Sequence, residues 1–192
     1  MKRGVCSTMI KKCLGYRAGE RLLIVCDDRT AALALGVYEE ARSIGAKAVL
    51  VRMEPLRIHG EEPPRPVAEA LKGADAALLM TTMSLSHTDA RKKASRLGTR
   101  IASLPGITAE ILDRSIEINY AQLRREASSL ARKITGATRL EVRTALGTRV
   151  TMAVERRRGI PDDGSYCGNG AFGNLPAGEV YCAPREGTAN GV

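Results

Sequence analysis

Arg21-Leu22-Leu23-Ile24-Val25-Cys26-Asp27-Asp28 decides the fold. An unbroken apolar run of strand length is the mark of a strand buried on both faces, since a half-solvated strand would alternate. The two carboxylates then end it abruptly. An Ala/Leu-rich stretch from Thr30 to Ile44, closed by Gly45, predicts a helix, and Ala48–Met53 predicts a second buried strand. Upstream, Val5, Met9, Ile10, Cys13 and Leu14 recur at near-helical spacing and predict a short helix over residues 4–15, closed by Gly15. Downstream, a Pro- and Glu-rich loop (Glu61 to Pro64) leads to a helix over Val67–Lys72. A strand over Ala76–Thr82 follows, then a helix over Thr88–Leu97 and a short strand over Arg100–Leu104 turned by Pro105-Gly106. Strand and helix alternate four times. Parallel neighbours need a crossover between them, so the expectation is an α/β fold with a doubly wound, mostly parallel sheet over residues 1–135.

Beyond that the rhythm changes. Asn119 with Gln122 forms an N-capping pair for a helix running to Ile134, and Arg139–Ala145 and Thr148–Val154 predict a hairpin joined at Leu146-Gly147. Eight of the 34 residues from Gly159 onward are glycine, which predicts turns and short strands. Residues 136–192 are therefore expected to be an incomplete β-rich segment, the start of a second domain, because two or three strands cannot bury a core alone.

Composition excludes several classes. With 44% apolar residues the chain is neither disordered nor collagen-like, and its apolar stretches fall well short of a membrane span. No secretory h-region is present, since Lys11 and Lys12 interrupt the first apolar stretch, and five cysteines without a C-x-x-C pair suit a reducing compartment; a cytoplasmic protein is expected. The formal net charge of +9 is concentrated at Arg91-Lys92-Lys93 with Arg96 and Arg100, at Arg124-Arg125 with Arg132-Lys133, and at Arg156-Arg157-Arg158. Single-strand binders also need aromatic platforms, and there is no Trp and only one Phe, so nucleic acid is not expected as a partner. These clusters read instead as solvated helix faces.

Gly168-Asn169-Gly170-Ala171-Phe172-Gly173 matches the dinucleotide fingerprint in letters, but it runs into Asn174-Leu175-Pro176 rather than a helix and reads as a flexible loop. Two other places are better candidates. Ser84-Leu85-Ser86-His87-Thr88 follows the third strand and Asp27-Asp28 the first, both at the carboxyl edge where open parallel sheets take ligands. His87, Asp27 and Asp28 are the cleft candidates. A helix cap remains open as the role of the aspartates, and of Ser86 or Thr88.

Ser84–Thr88 followed by Arg100–Thr108, together with Gly173–Tyr181 leading to Glu186–Gly191, resembles the thermophilic-metalloprotease aminopeptidase family, that of aminopeptidase T and its leucyl-aminopeptidase-like members. The resemblance implies an N-terminal α/β domain and a C-terminal domain holding a pair of divalent metals (zinc, cobalt, manganese or magnesium). It implies peptide substrates and a homodimer in the full-length protein. Pro176-Ala177-Gly178-Glu179-Val180-Tyr181 matches the family's first metal-binding segment, so it also implies Glu179 as a metal ligand. The family's further ligands come later than Val192. This chain then stands as the N-terminal portion of a metallo-aminopeptidase and is expected to be inactive alone. The same family includes ring-cleaving dioxygenase relatives that use iron, which is the alternative activity. A non-catalytic α/β binding module acting through its basic surface is the alternative outside enzymes.

Overall fold

The computed structural model describes residues 4–116 and 118–192. Its elements fall into two compact units, one of residues up to Ile118 together with Gly164–Pro176, the other of Asn119–Asp163 with Ala177–Val192. Parallel and antiparallel sheets are both present, in a mixed α/β architecture.

The first unit opens with α1 (Val5–Ser7), which passes into a π-helical turn over Thr8–Cys13. There follow β1 (Arg21–Asp27), α2 (Ala31–Ser43), β2 (Lys47–Met53), α3 (Arg65–Lys72), β3 (Ala76–Met80), α4 (Asp89–Arg96), β4 (Arg100–Ser103) and α5 (Ala109–Ser115). Its sheet has the order β2-β1-β3-β4-β8, with every neighbour parallel. The fifth strand, β8 (Phe172–Asn174), arrives from the glycine-rich tail and pairs with β4 from Ile101↔Phe172 to Ser103↔Asn174.

The apolar run quoted above is buried as its pattern requires, with Leu22 to Cys26 all within 4% of full burial. Its odd-numbered side chains, Leu23 and Val25, pack with Leu79 and Ile101 against Val67 and Leu71 of α3 and Ala94 of α4. On α2, Ala34, Val37 and Ala41 are buried, and the Cys6 thiol donates to the Val37 carbonyl at 3.3 Å. Burial, with the charge of Glu40 adding to it, pushes that thiol up to about 12. It is a structural thiol, closed to chemistry at neutral pH.

Two expectations need correction. The stretch Ala48–Met53 does form a strand, but not one buried on both faces: β2 is the sheet edge, and Val49 is 56% exposed. An apolar run alone does not separate an interior strand from an edge strand with one neighbour. The stretch read as a flexible loop, Gly168–Gly173, instead turns tightly and enters β8, with Gly170 N–H donating to the Gly98 carbonyl and Ile101 N–H to that of Ala171. Hydrogen bonds to β4, far off in sequence, make it a strand.

The second unit holds α6 (Tyr120–Gly136), with Asn119 Oδ1 capping Gln122 N–H at 3.1 Å. It also holds β5 (Arg139–Arg143), β6 (Arg149–Ala153), β7 (Ile160–Asp162), β9 (Glu179–Tyr181) and β10 (Asn190–Gly191). The order β10-β6-β5 makes one antiparallel sheet, and β7 pairs antiparallel with β9. Among the described residues, no helix is long and apolar enough to cross a membrane.

Candidate functional site

In the sheet order β2-β1-β3-β4, the chain leaves β1 toward one side and returns for β3 on the other. The carboxyl ends of β1 and β3 therefore flank a topological switch point, where the loops diverge and a crevice can form. Asp27 and Asp28 end or follow β1; Thr81 to Thr88 follow β3.

Asp27 is fully buried. Its Oδ1 accepts from Arg29 N–H at 3.0 Å, Thr30 N–H at 3.2 Å and the Thr82 hydroxyl at 3.0 Å. Its Oδ2 accepts the Thr82 N–H. Burial alone would raise this carboxyl, but the bonds from Thr82, Arg29 and Thr30 outweigh it and hold it below its ordinary value. The side chain thus ties β1 to the loop after β3 and turns the chain into α2. Asp28 is solvent-exposed and pairs with Arg52 at the end of β2, at 2.6 Å.

The loop after Thr82 is a chain of hydroxyls. The Ser84 hydroxyl lies 2.9 Å from that of Ser86, which has the Ser103 hydroxyl at 3.1 Å and Asn174 Oδ1 at 3.2 Å to donate to. Ser86 and Ser103 are buried, Asn174 exposed. Thr88, rather than Ser86, caps α4, accepting from Arg91 N–H at 3.2 Å. Arg91 folds back over its own turn. Its Nε donates to the Ser86 carbonyl at 2.7 Å, and its guanidinium lies 4.1 Å from the centre of the Phe172 ring. Burial lowers its affinity for a proton. Arg91 is therefore not part of a solvated face, and neither is Arg100, which is buried and paired with Glu20 at 2.5 Å. His87 sits at the apex of this loop. It is exposed and makes no hydrogen bond among the described residues.

At the opposite, amino edge of the sheet a cleft of about 290 Å³ is lined by Arg17, Glu20, Arg21, Lys72, Asp75 and Arg100, among others. Its carboxylates are already matched: Arg21 grips Asp75 through two side-chain bonds of 3.0 Å, and the Asp75 carboxyl falls to about 2 because of them. Those ions hold the strand ends together.

Glu179 lies on β9 in the second unit, exposed. The β7–β9 register sets it directly opposite Asp162, so the two carboxylates leave the same face of the ribbon. Asp162 gave no signal in sequence; only the register brings it there. Two carboxylates fall short of the three protein donors usual for a catalytic ion, and among the described residues no group of three or more His, Cys, Asp or Glu could hold a metal. The described residues do not fit a metal centre by themselves.

Sequence reasoning also missed the residues that fix the loop from a distance. His59 accepts Ser84 N–H on Nδ1 at 3.0 Å, and Glu62 accepts the N–H groups of Asp89 and Ala90. Asn174 reaches Ser86 from 88 positions away. No local spacing announces such pairs. The one available signal was the density of Pro and Glu around residues 61–64.

A five-stranded parallel sheet whose carboxyl-edge loops gather hydroxyls and an exposed imidazole defines an α/β protein built to present polar groups at one edge. More narrowly, the chain belongs to the NicX family, described as 2,5-dihydroxypyridine 5,6-dioxygenase, which matches residues 4–192. Among solved structures it is similar to the 2,5-dihydroxypyridine dioxygenase of Pseudomonas putida KT2440, with a TM-score of 0.75 at 18% identity over 97% of this chain and 57% of that one. It is also similar to wild-type AmpT from Thermus thermophilus, with a TM-score of 0.53 at 14% identity over 98% of this chain and 63% of that one. At these identities the likeness is one of fold, and the chain spans under two thirds of either protein. No curated protein matches it.

The family match overturns the expectation of an aminopeptidase, and with it the terms hydrolase, metalloprotease and metallo-aminopeptidase. The reason is physical. The segments that suggested that family, Ser84–Thr88 and Gly173–Tyr181, sit on a scaffold whose fold is also similar to AmpT, so they report the scaffold rather than the reaction.

Proposed function

We propose that this chain is the α/β part of an iron-dependent, ring-cleaving dioxygenase acting on a dihydroxypyridine or a closely related hydroxylated heterocycle. The single observation that carries the reading is the family match over residues 4–192. The carboxyl-edge loop supports it, because an aromatic diol offers hydroxyl protons and a flat face. His87 is exposed at that loop's apex, where an imidazole can accept a hydroxyl proton, while the hydrogen-bonded Ser84, Ser86 and Asn174 groups hold the shape of the loop that carries it. Iron would supply the chemistry of dioxygen. Glu179 is the ligand candidate, and the remaining donors would have to come from residues other than those gathered here.

The test is oxygen uptake by protein containing this chain, supplied with ferrous iron and 2,5-dihydroxypyridine. Oxygen should be consumed in step with loss of the ring absorbance, and His87→Ala should lower kcat/KM by about 10²-fold with little change in melting temperature. Absence of oxygen uptake with any hydroxylated pyridine would end this reading.

A further inference from the structure

The chain has two histidines, and the fold brings both to one loop. His87 is carried by it. His59 holds it from outside, and it does not act alone. Ser84 N–H donates to His59 Nδ1 at 3.0 Å, while the Ser84 carbonyl accepts Gly60 N–H at 2.8 Å. Gly60 reaches that carbonyl from a left-handed turn at φ 84°, a conformation a side chain would oppose. Five residues further along the loop, the Glu62 carboxylate accepts the N–H groups of Asp89 and Ala90, at 3.1 Å for the latter. These are the first two residues of α4, whose amide hydrogens have no partner within the helix. The segment is itself braced, with Glu61 Oε2 accepting Arg57 N–H at 2.7 Å.

His59, Gly60 and Glu62 are all solvent-accessible, and none adds to the apolar core. Their hydrogen bonds fall on the two ends of one loop, Ser84 and Asp89-Ala90. Its middle is fixed separately, by Arg91 on the Ser86 carbonyl and by Ser103 and Asn174 around the Ser86 hydroxyl. Thr88 caps Arg91 N–H, so Glu62 takes the two helix amides that Thr88 does not reach. What remains unfastened in the loop is the imidazole of His87.

We propose that residues 57–62 form a strap that positions the Ser84–Asp89 loop, with His59 and Glu62 as its two fasteners and so as positioning residues for the reaction at His87. This rests on the reading that the loop faces the substrate. The strap works only with His59 neutral and its proton on Nε2, because an imidazolium has no acceptor for Ser84 N–H.

Amide hydrogen exchange of the full chain tests it directly. His59→Ala should speed exchange at Ser84 about tenfold, and Glu62→Ala should do so at Asp89 and Ala90, while the amides of β1 and β3 keep their protection. His59→Asn, whose Oδ1 can take the place of Nδ1, should restore slow exchange at Ser84. Wild-type exchange in His59→Ala, no rescue by Asn, or loss of protection spread through β1 and β3 would each overturn the strap. In turnover, His59→Ala should lower kcat about tenfold with His59→Asn restoring it; faster exchange with unchanged turnover would overturn the positioning role. A wild-type protein that turns over no hydroxylated ring would refute the dioxygenase reading and leave the exchange data to decide the strap.

Discussion

Replacing Asp27 with Asn changes one atom and leaves the volume almost unaltered, so its effect isolates the hydrogen bonding of a buried carboxylate. Asp27 Oδ2 receives Thr82 N–H, and Oδ1 receives Arg29 N–H, Thr30 N–H and the Thr82 hydroxyl. An amide nitrogen cannot accept. The less damaging orientation places it at the Oδ2 position, opposite Thr82 N–H, and keeps the carbonyl oxygen for the remaining donors. Losing one charge-assisted bond and leaving its half-buried donor opposed to an amide nitrogen costs about 1.5–3 kcal/mol, and weakening the others from charged to neutral adds about 1 kcal/mol. A total near 3 kcal/mol corresponds to a fall in Tm of roughly 6–12 °C for a chain of this size. The pH dependence gives a second signature. Asp27 is held below its ordinary 3.8, so the unfolded chain binds its proton first as pH falls. Its contribution is fully present above the unfolded value and is lost as pH drops through the lower folded value, so stability falls with acidification below about pH 4. Thermal melts followed by circular dichroism between pH 7 and pH 3 should show Asp27→Asn lower at neutral pH and closing on the wild type in acid. Melting within about 1 °C of the wild type at pH 7, with an unchanged acid limb, would refute the role assigned to this carboxylate.

Two further outcomes test the late-arriving strand. Gly173→Ala would place a methyl group inside the Tyr166 ring, whose hydroxyl donates to the Asn174 carbonyl, and urea unfolding should show a loss of about 3 kcal/mol. Ending the chain at Gly136 removes β8 and leaves Ile101 N–H and the Ser103 carbonyl of β4 without the partners they have in Ala171 and Leu175. An uncovered edge of this kind should self-associate on size-exclusion chromatography with light scattering, and a monodisperse, cooperatively unfolding product would count against it.

The central parallel strands were legible because each is a local signal: an apolar run, a turn residue, a helix of the right period. The caps at Asn119 and Thr88 were legible for the same reason, since a cap bonds within three residues of itself. What the sequence hid was long-range. The edge position of β2, the fifth strand at Phe172–Asn174, and Asp162 opposite Glu179 all follow from pairing partners, which no window of sequence contains. The candidate site divides along the same line. His87, Asp27 and Asp28 could be singled out because they follow strands, whereas His59, Glu62 and Asn174 reach the same loop from 25, 27 and 88 positions away.

That division bears on how one scaffold can be similar both to a dihydroxypyridine dioxygenase and to AmpT. The sheet and its helices hold the switch point in place through buried side chains already committed to one another. Asp27 illustrates this, with both oxygens committed to the backbone and hydroxyl groups around it. The groups with freedom to act lie on the loop beyond Thr82, whose shape is set by contacts outside the sheet core: His59 and Glu62 at its ends, Arg91 and Asn174 at its middle. Altering those few contacts would re-aim His87 by moving the loop while leaving the core, and therefore the fold, intact. On the proposed reading, residues 57–62 are accordingly where this chain's chemistry can diverge from that of other proteins sharing its sheet, and they are the segment in which substitutions should change turnover more than stability.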